Sequence, residues 1–556
     1  MRKAHARWRR VATLVAALTV AAAGIAGCSG GSSASGSGVI LTVAGGPSGP
    51  IQRIFNPYLP TNAFTQVGSD TYVYETLAAQ NTLKPDDWVP WLATSWAWSN
   101  GNKTFTMQIR KNVKWTDGTP FTAADVVYSF DLMKKYPALN LRGVEFQSIT
   151  ANADNSVTMT FAQAYAQKVD VILNQEIVPQ HIWSKIADPT SWANPNPVGT
   201  GPLMLSDFSS QSYLLVKNPN YWQPGKPAIG GMRFVSERDN TAVALALAQG
   251  QLDWAGVFIP NAQASYTSKS PNNHIFWPTV GTDGLITNQQ SAPFNDLAVR
   301  KAVSLGVDRN QIANANQGVP ATSVTGLPMP LYADAIAPDL KGVNFKQDTA
   351  QAKQILEQDG YRMDGNGYYA RNGQELSFAI TDPSSYTEQI AEAQVIVSQM
   401  KAIGIKVTIN GVTTESINTL TGKGNFQASL GYPIATQTTE FDIYDTWMNP
   451  VYSAPIGTLI PTYQNIERWT DPQTAQEFNS YPSVTDPAQQ QQILYKFQHT
   501  MADDLPIIPF TYFADYTEYS TAKVTGWPTA QNPYATCNPG GPGSVLVVVN
   551  LKPVGG

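Results

Sequence analysis

Thr104-Phe-Thr-Met-Gln-Ile-Arg110, Lys111-Asn-Val-Lys-Trp-Thr-Asp-Gly118 and Thr119-Pro-Phe-Thr-Ala-Ala-Asp-Val-Val-Tyr-Ser-Phe130 form one unbroken stretch, and its reading decides the fold. Phe105, Met107 and Ile109 alternate with Thr104, Thr106, Gln108 and Arg110, the period of two of a strand with one buried face. Asp117-Gly118 then makes a turn, where glycine reaches positive φ without a Cβ clash. Thr122 and Asp125 have the spacing of a capping box, which predicts a helix over 123–130. A strand, a turn and a helix occur in many folds. The particular residues narrow the choice.

Ile109-Arg110, Val113-Lys114-Trp115, Asp117-Gly118, Pro120, Thr122-Ala123, Asp125-Val126-Val127 and Ser129 resemble, in order and spacing, a block of the family-5 extracellular solute-binding proteins. These are the peptide, nickel and oligosaccharide receptors of ABC importers. Further blocks that resemble the family follow its order: Tyr72-Val-Tyr-Glu-Thr-Leu77, Val89-Pro-Trp-Leu-Ala-Thr-Ser-Trp96, Ile177-Val-Pro-Gln-His-Ile-Trp183, Asn218-Pro-Asn-Tyr-Trp222, Gly250-Gln-Leu-Asp253, and Pro293-Phe-Asn-Asp296 with Val299-Arg300, Ala302 and Asp308-Arg309. Strands and helices alternate throughout 39–556, which argues for an α/β chain.

The resemblance implies an α/β fold of the large two-lobed periplasmic-binding-protein type (cluster C), with an extra subdomain in the first lobe. Lobe I would combine 39–83, 201–284 and 521–556, its subdomain 84–200, and lobe II 285–520, with hinge crossings near 284 and 520. It also implies a function: a monomeric, non-catalytic receptor captures an oligopeptide or oligosaccharide between the lobes and delivers it to an ABC permease and its ATPase subunits. A metal-chelate receptor of the nickel type, a secreted lipid-anchored hydrolase and an assembly lipoprotein are the alternatives. No cofactor is implied.

Residues 1–27 carry the marks of a leader: five basic residues between Arg2 and Arg10, then an apolar, alanine-rich run over 11–24. That run falls short of the roughly 20 apolar residues a spanning helix needs. Ile25-Ala26-Gly27-Cys28 resembles the lipobox of bacterial lipoproteins, which implies cleavage before Cys28, lipidation of its thiol, and a place on the outer face of the cell membrane or in the periplasm. Arg9-Arg10 fits a twin-arginine export signal weakly. Residues 28–38 read as a lipidated Gly/Ser tether. Beyond residue 27 the chain has 31 basic and 41 acidic residues, a net charge of −10, and no basic run, which argues against nucleic acid as a partner. With Cys28 acylated, Cys537 has no thiol to pair with.

Local signals place further elements. Asn240 or Thr241 is expected to cap an Ala/Leu helix stopped by Gly250, and Asn295 a helix whose packed face is Leu297, Ala298, Ala302 and Leu305. Arg300 and Arg309 are expected in structural ion pairs. A long helix over 385–403 stops at Gly404, with a strand over 405–409. Asp486-Pro487 opens the last long helix, and 505–513 reads as a buried strand.

Catalytic and metal motifs are weak. Gly27-Cys-Ser29-Gly-Gly31 matches G-x-S-x-G without the strand and helix that motif needs. His181, His274 and His499 are widely spaced, with no zinc-site pattern. Asp364 to Glu375 spans a calcium-loop length but has Tyr369 where the glycine belongs. The binding residues expected are Gln66, Trp254, Trp277, Asn288, Tyr432, Glu440, Asp442, Tyr444 and Trp447. Peptide receptors of the resembled family place an aspartate in the segment matching 430–442 to pair with the peptide amine, yet no acid occurs here before Glu440 and Asp442. Aromatic faces beside that gap suit sugar rings. Peptide and oligosaccharide therefore both stay open.

Overall fold

The structure is a computed structural model and describes residues 38–46, 48–68, 70–84, 87–431, 439–460 and 464–555. The leader, Cys28, the tether up to residue 37 and Tyr432 lie outside them. The 104–130 stretch folds as its pattern dictates. Strand Thr104–Ile109 buries Phe105, Met107 and Ile109, and the Thr122 N–H donates to Asp125 Oδ2 (2.9 Å) at the start of helix Ala123–Lys135. The helix runs past 130 because Leu132 and Met133 continue its buried face. Strands Ala93–Ser99, Thr104–Ile109, Ser156–Thr160 and Ser148–Ala151 pair antiparallel in a four-stranded sheet.

Two larger mixed sheets carry the two-lobed α/β fold. The first has seven strands, in the order Asn273–Ile275, Glu518–Ser520, Trp254–Ala255, Ile40–Ala44, Gly231–Val235, Ser212–Lys217 and Leu203–Phe208. Ile40–Ala44 runs parallel to both of its neighbours, which requires long crossovers, and the chain supplies them. The second has six, in the order Val319–Pro320, Ile507–Ala514, Thr279–Thr287, Ala428–Gly431, Ser377–Pro383 and Lys406–Val412. The chain passes from the first sheet to the second between Ile275 and Thr279, and returns between Ala514 and Glu518. The first passage precedes residue 284, because Thr279–Thr287 lies wholly in the six-stranded sheet.

Each lobe has its own core. One gathers Leu41, Val43, Phe234 and Trp254 with Phe105 and Met107 of the smaller sheet. Another holds Leu285, Ile380, Ile396 and Phe510. A third, beside the second, packs Tyr444 and Trp447 against Phe497 and Met501.

Several local expectations shift. Asp239 rather than Asn240 or Thr241 caps helix Asn240–Ala248, its carboxylate accepting from the Ala242 N–H, and Asp296 rather than Asn295 caps Leu297–Gly306. In both helices the aspartate is the residue just before the first helical turn, where its carboxylate accepts from the free N–H groups. The buried face of Leu297–Gly306 is Val299, Ala302, Val303 and Gly306. Arg300 and Arg309 are buried but donate to carbonyls instead of carboxylates: Arg300 to Phe294 O and Asp504 O, Arg309 to Pro509 O and Ser304 O. Their five-donor forks tie together segments about 200 positions apart.

Candidate functional site

Two cavities open where the lobes face each other, and both touch the turn Gly540-Gly541-Pro542. The larger, about 470 Å³, takes its first wall from Gly45-Gly46 after strand Ile40–Ala44, Gln66 and Gly68 at the end of helix Ala63–Val67, and Gly256-Val257-Phe258. Gly68 sits at φ +69, and a Cβ there would come 2.8 Å from the Gly540 Cα, so only glycine lets these two segments meet. The opposite wall is Asp283 from strand Thr279–Thr287, Asn316, Glu388, Gln389 and Glu392 from helix Thr387–Ala402, and Tyr512-Phe513. Asp515 sits where the chain crosses between the sheets.

This wall is acidic. Burial pushes the Asp283 and Asp515 carboxyls up to about 7, and raises Glu388 as well. Glu392 goes well above the carboxylate range, first by burial and then by the Asp283 charge facing it. Asp382, on the strand beneath, is also pushed up to about 7 by burial, although it accepts from Ser429 Oγ and the Leu430 N–H. Asn316 Nδ2 donates to Glu392 Oε1 (2.6 Å), and Asn240 Nδ2 reaches across the cleft to Glu388 Oε2 (3.3 Å). A buried acceptor without a donor costs roughly 1–3 kcal/mol.

The second cavity, about 390 Å³, is chemically different. Helix Glu440–Met448 brings Asp442 and Asp445 to its wall, facing Lys168 and Asp170 from the lobe I side. Lys168 Nζ lies 2.5 Å from Asp445 Oδ2, and Arg142 pairs with Glu176 at 2.7 Å on the same rim. Burial alone would lower the Lys168 pKa, but Asp445, Tyr452 and Asp442 more than reverse that and hold it raised. Burial also raises Asp442 and Asp170. Lys168 stands far in sequence from Asp445, so this ion pair ties the two lobes directly.

A paired-lobe cleft with polar walls is an arrangement for holding a solute. The family described as Bacterial extracellular solute-binding proteins, family 5 Middle, matches residues 87–470. The chain belongs to this family. Among relatives of this solute-binding protein, Protein XP55 of Streptomyces lividans is 29% identical over 334 residues, a match that spans 57% of this chain and 58% of XP55. The nickel-binding periplasmic protein of Escherichia coli is also 29% identical, over 394 residues, 67% of this chain and 71% of that one. The mannohexaose-bound periplasmic oligopeptide-binding protein of Thermotoga maritima shares the fold, with a TM-score of 0.81 over 93% of this chain and 99% of that one, at 24% identity.

Of the expected binding residues in this solute-binding protein, Gln66 and Asp442 stand on cavity walls. The others are elsewhere. Trp254 is fully buried, donating its indole N–H to Cys537 O and packing on Trp527. Trp277 donates to Glu518 Oε1, and Asn288 ties down Gly424 O and Phe426 O. Glu440 accepts from Gln498 Nε2, while Tyr444 donates to Thr325 O in the same core that holds Trp447. Burial requires each polar atom to find a partner inside the protein, and these side chains have spent theirs on the fold. Tyr432 lies outside the described residues.

The acids of the larger cavity were not anticipated, though a signal was present. Asp283 is the one acid in Thr279–Thr287, a strand otherwise of Thr, Val, Gly, Leu and Ile. Glu388 and Glu392 are four apart and so share a helix face. The histidines are dispersed: His181 pairs with Asp117, His274 stacks on Tyr519, and His499 meets Asp339. Among the described residues, no group of three or more His, Cys, Asp or Glu side chains could hold a metal ion.

Proposed function

We propose that this solute-binding protein is a lipid-anchored receptor that captures an oligopeptide or oligosaccharide between its lobes and hands it, unreacted, to an ABC permease and its ATPase subunits. One observation carries the reading: the larger cavity is walled by segments of both lobes, so a solute in it touches both at once. The hinge of this receptor runs through 276–278 and 515–517, where the chain changes sheets. Lobe I is then 39–83, 201–275 and 518–556 with its subdomain over 84–200, and lobe II is 279–514. Solute shifts the population toward the closed form, whose outer surface the permease reads. Gln66 contacts the solute in the larger cavity, and Asp442 contacts the part of it that reaches the second. Cys28 carries the lipid and holds the protein, as a monomer, at the outer face of the membrane or in the periplasm.

Small-angle scattering tests the core of this reading. Saturating solute should reduce the radius of gyration, and an unchanged radius with a solute that demonstrably binds rejects the hinge. A thermal-shift screen of peptides against oligosaccharides finds such a solute, since ligand at about 100 Kd adds roughly 2.7 kcal/mol. Replacing Cys28 with Ser should release the protein from membranes or block its processing. A Cys28→Ser protein that remains acylated and membrane-bound refutes the anchor.

A further inference from the structure

Four side-chain oxygens on the wall of the larger cavity receive no hydrogen bond from the described residues: Asp283 Oδ1, Gln389 Oε1, Glu392 Oε2 and Asp515 Oδ2. Asp283 is 5% exposed, Gln389 6% and Glu392 0%, so the wall itself denies them bulk water. All four are acceptors. They come from three separate elements, the Thr279–Thr287 strand, the Thr387–Ala402 helix and the crossing segment, and they converge on one cavity. Glu388 adds a fourth carboxyl, and no lysine or arginine stands among the described residues lining the cavity. A proton shared between Asp283 and Glu392 can satisfy that pair, but it leaves Gln389 and Asp515 as they are. Gln389 shows that the pattern is not charge alone: a neutral amide on the same wall also keeps an acceptor without a donor among the described residues.

We propose that this wall binds the cationic group of the captured solute, a primary ammonium or a guanidinium, so that the solute is amine-bearing, as a peptide with a free N-terminus is, rather than a neutral oligosaccharide. The proposal rests on the receptor reading above and assigns its substrate class. An ammonium carries three N–H donors and a guanidinium five, with no acceptor, which matches a wall made of acceptors. A sugar hydroxyl brings one donor and two lone pairs of its own, and it carries no positive charge to offset buried carboxylates. The Asp283 end of the site adjoins the start of the 430–442 segment, since Gly284 pairs with Gly431, but its acids stand on other elements.

Protons sharpen the expectation. Around the Asp283–Glu392 pair stand Glu388 and Tyr386 on the helix side, Asp382 on the neighbouring strand, Asn316, and Tyr512 and Asp515 from the crossing strand, all neutral or acidic. Asp283 and Asp515 titrate near 7 without a cation, so below that pH a binding cation must displace protons. Affinity therefore falls as pH is lowered, by up to about tenfold per unit for each proton released.

Titration calorimetry on the full chain at pH 8 and pH 5.5 tests this with four probes: tetraalanine, arginine, N-acetyl-tetraalanine and mannohexaose. The expected result is that tetraalanine or arginine binds, that acetylation weakens the peptide by at least about tenfold, and that affinity drops at pH 5.5 with proton release. Glu392→Gln and Asp283→Asn should each lose at least about tenfold for the amine-bearing probe. Gln389→Leu, which leaves every charge in place, should lose less. Thermal midpoints of the variants show that they fold, and Asp515→Asn replaces any that does not. Equal binding of the acetylated peptide, or unchanged affinity in the folded variants, overturns the proposal. Mannohexaose binding alone overturns it too, while leaving the receptor reading intact. If neither amine-bearing probe binds, the cationic assignment falls, and the receptor reading rests on its own scattering test.

Discussion

The two cavities of the cleft hold similar numbers of buried carboxyls and treat them in opposite ways. At the smaller one, Lys168 stands 2.5 Å from Asp445, with Arg142 on Glu176 nearby, although Asp170 Oδ1 has no donor there among the described residues. At the larger one, Asp283, Glu388, Glu392 and Asp515 have no lysine or arginine beside them among the described lining residues, and three of them keep an oxygen without a donor there. The difference teaches where stability ends and recognition starts. An acid matched from within contributes to the fold, and here it also joins the lobes. An acid left unmatched works against the fold until something from outside arrives.

The largest effect expected concerns what anchors the matched end. Trp447 is on the same helix as Asp442 and Asp445, 1% exposed, at the edge of Tyr444 and beside the Gly326 backbone. Trp447→Ala should therefore cost about 3–5 kcal/mol in urea denaturation, the usual loss for a large core aromatic. A loss of solute affinity with stability intact would instead move Trp447 into the cleft and blur the contrast between the two ends.

Next comes the matched pair itself. Lys168→Met leaves Asp445 buried beside Asp442 and Asp170 with no lysine, which should cost roughly 3 kcal/mol at pH 7. Adding Asp445→Asn should restore most of that, because the penalty lies in the orphaned charge rather than in the lost bond. A double variant as unstable as the single one would mean that packing, not charge, sets this end.

The unmatched end should respond in the other direction. The folded-state pKa values of Asp283 and Asp515 are raised to about 7 by burial, above unfolded values near 4. Their contribution to stability is full below about pH 4 and is lost as pH climbs through about 7. Without solute the protein should be less stable at pH 8 than at pH 5. Asp283→Asn with Glu392→Gln should gain on the order of 1–3 kcal/mol at pH 8 and little at pH 4.5. Denaturation curves at the two pH values decide it, and a pH-independent effect would show that these carboxyls already have partners.

The same distinction explains how far the sequence could be read. Strand Thr104–Ile109 and helix Ala123–Lys135 rest on local patterns, and local physics made them. The family blocks supplied the two-lobed fold. The site was harder to read, because burial is a long-range property. Trp254, Tyr444 and Trp447 have the composition of a sugar platform, yet each is enclosed by residues distant in sequence. Asp283 and Glu392 meet across 109 positions, and Lys168 and Asp445 across 277. Only the lone acid in an apolar strand and the Glu388–Glu392 spacing were visible locally.

The smallest effect tests whether the unmatched end also helps to hold the lobes together. Asn240 Nδ2 donates across the cleft to Glu388 Oε2 at 3.3 Å, a long bond, with Gln317 Nε2 to Ile259 O at 2.8 Å as its neighbour across the same gap. Asn240 is the first residue of the helix capped by Asp239, so Asn240→Ala leaves the cap in place. A hydrogen bond of this kind is worth about 0.5–1.5 kcal/mol net, and its length puts it at the low end. Asn240→Ala should thus lower stability by about 0.5 kcal/mol, far less than Lys168→Met. If Glu388 serves the incoming cation, removing its one donor from lobe I should leave amine binding unchanged or slightly tighter, because a competing donor is gone. A loss of affinity as large as that of Glu392→Gln would instead make Asn240 part of the solute's own contacts, and the cleft would then be read from both lobes at its acidic end.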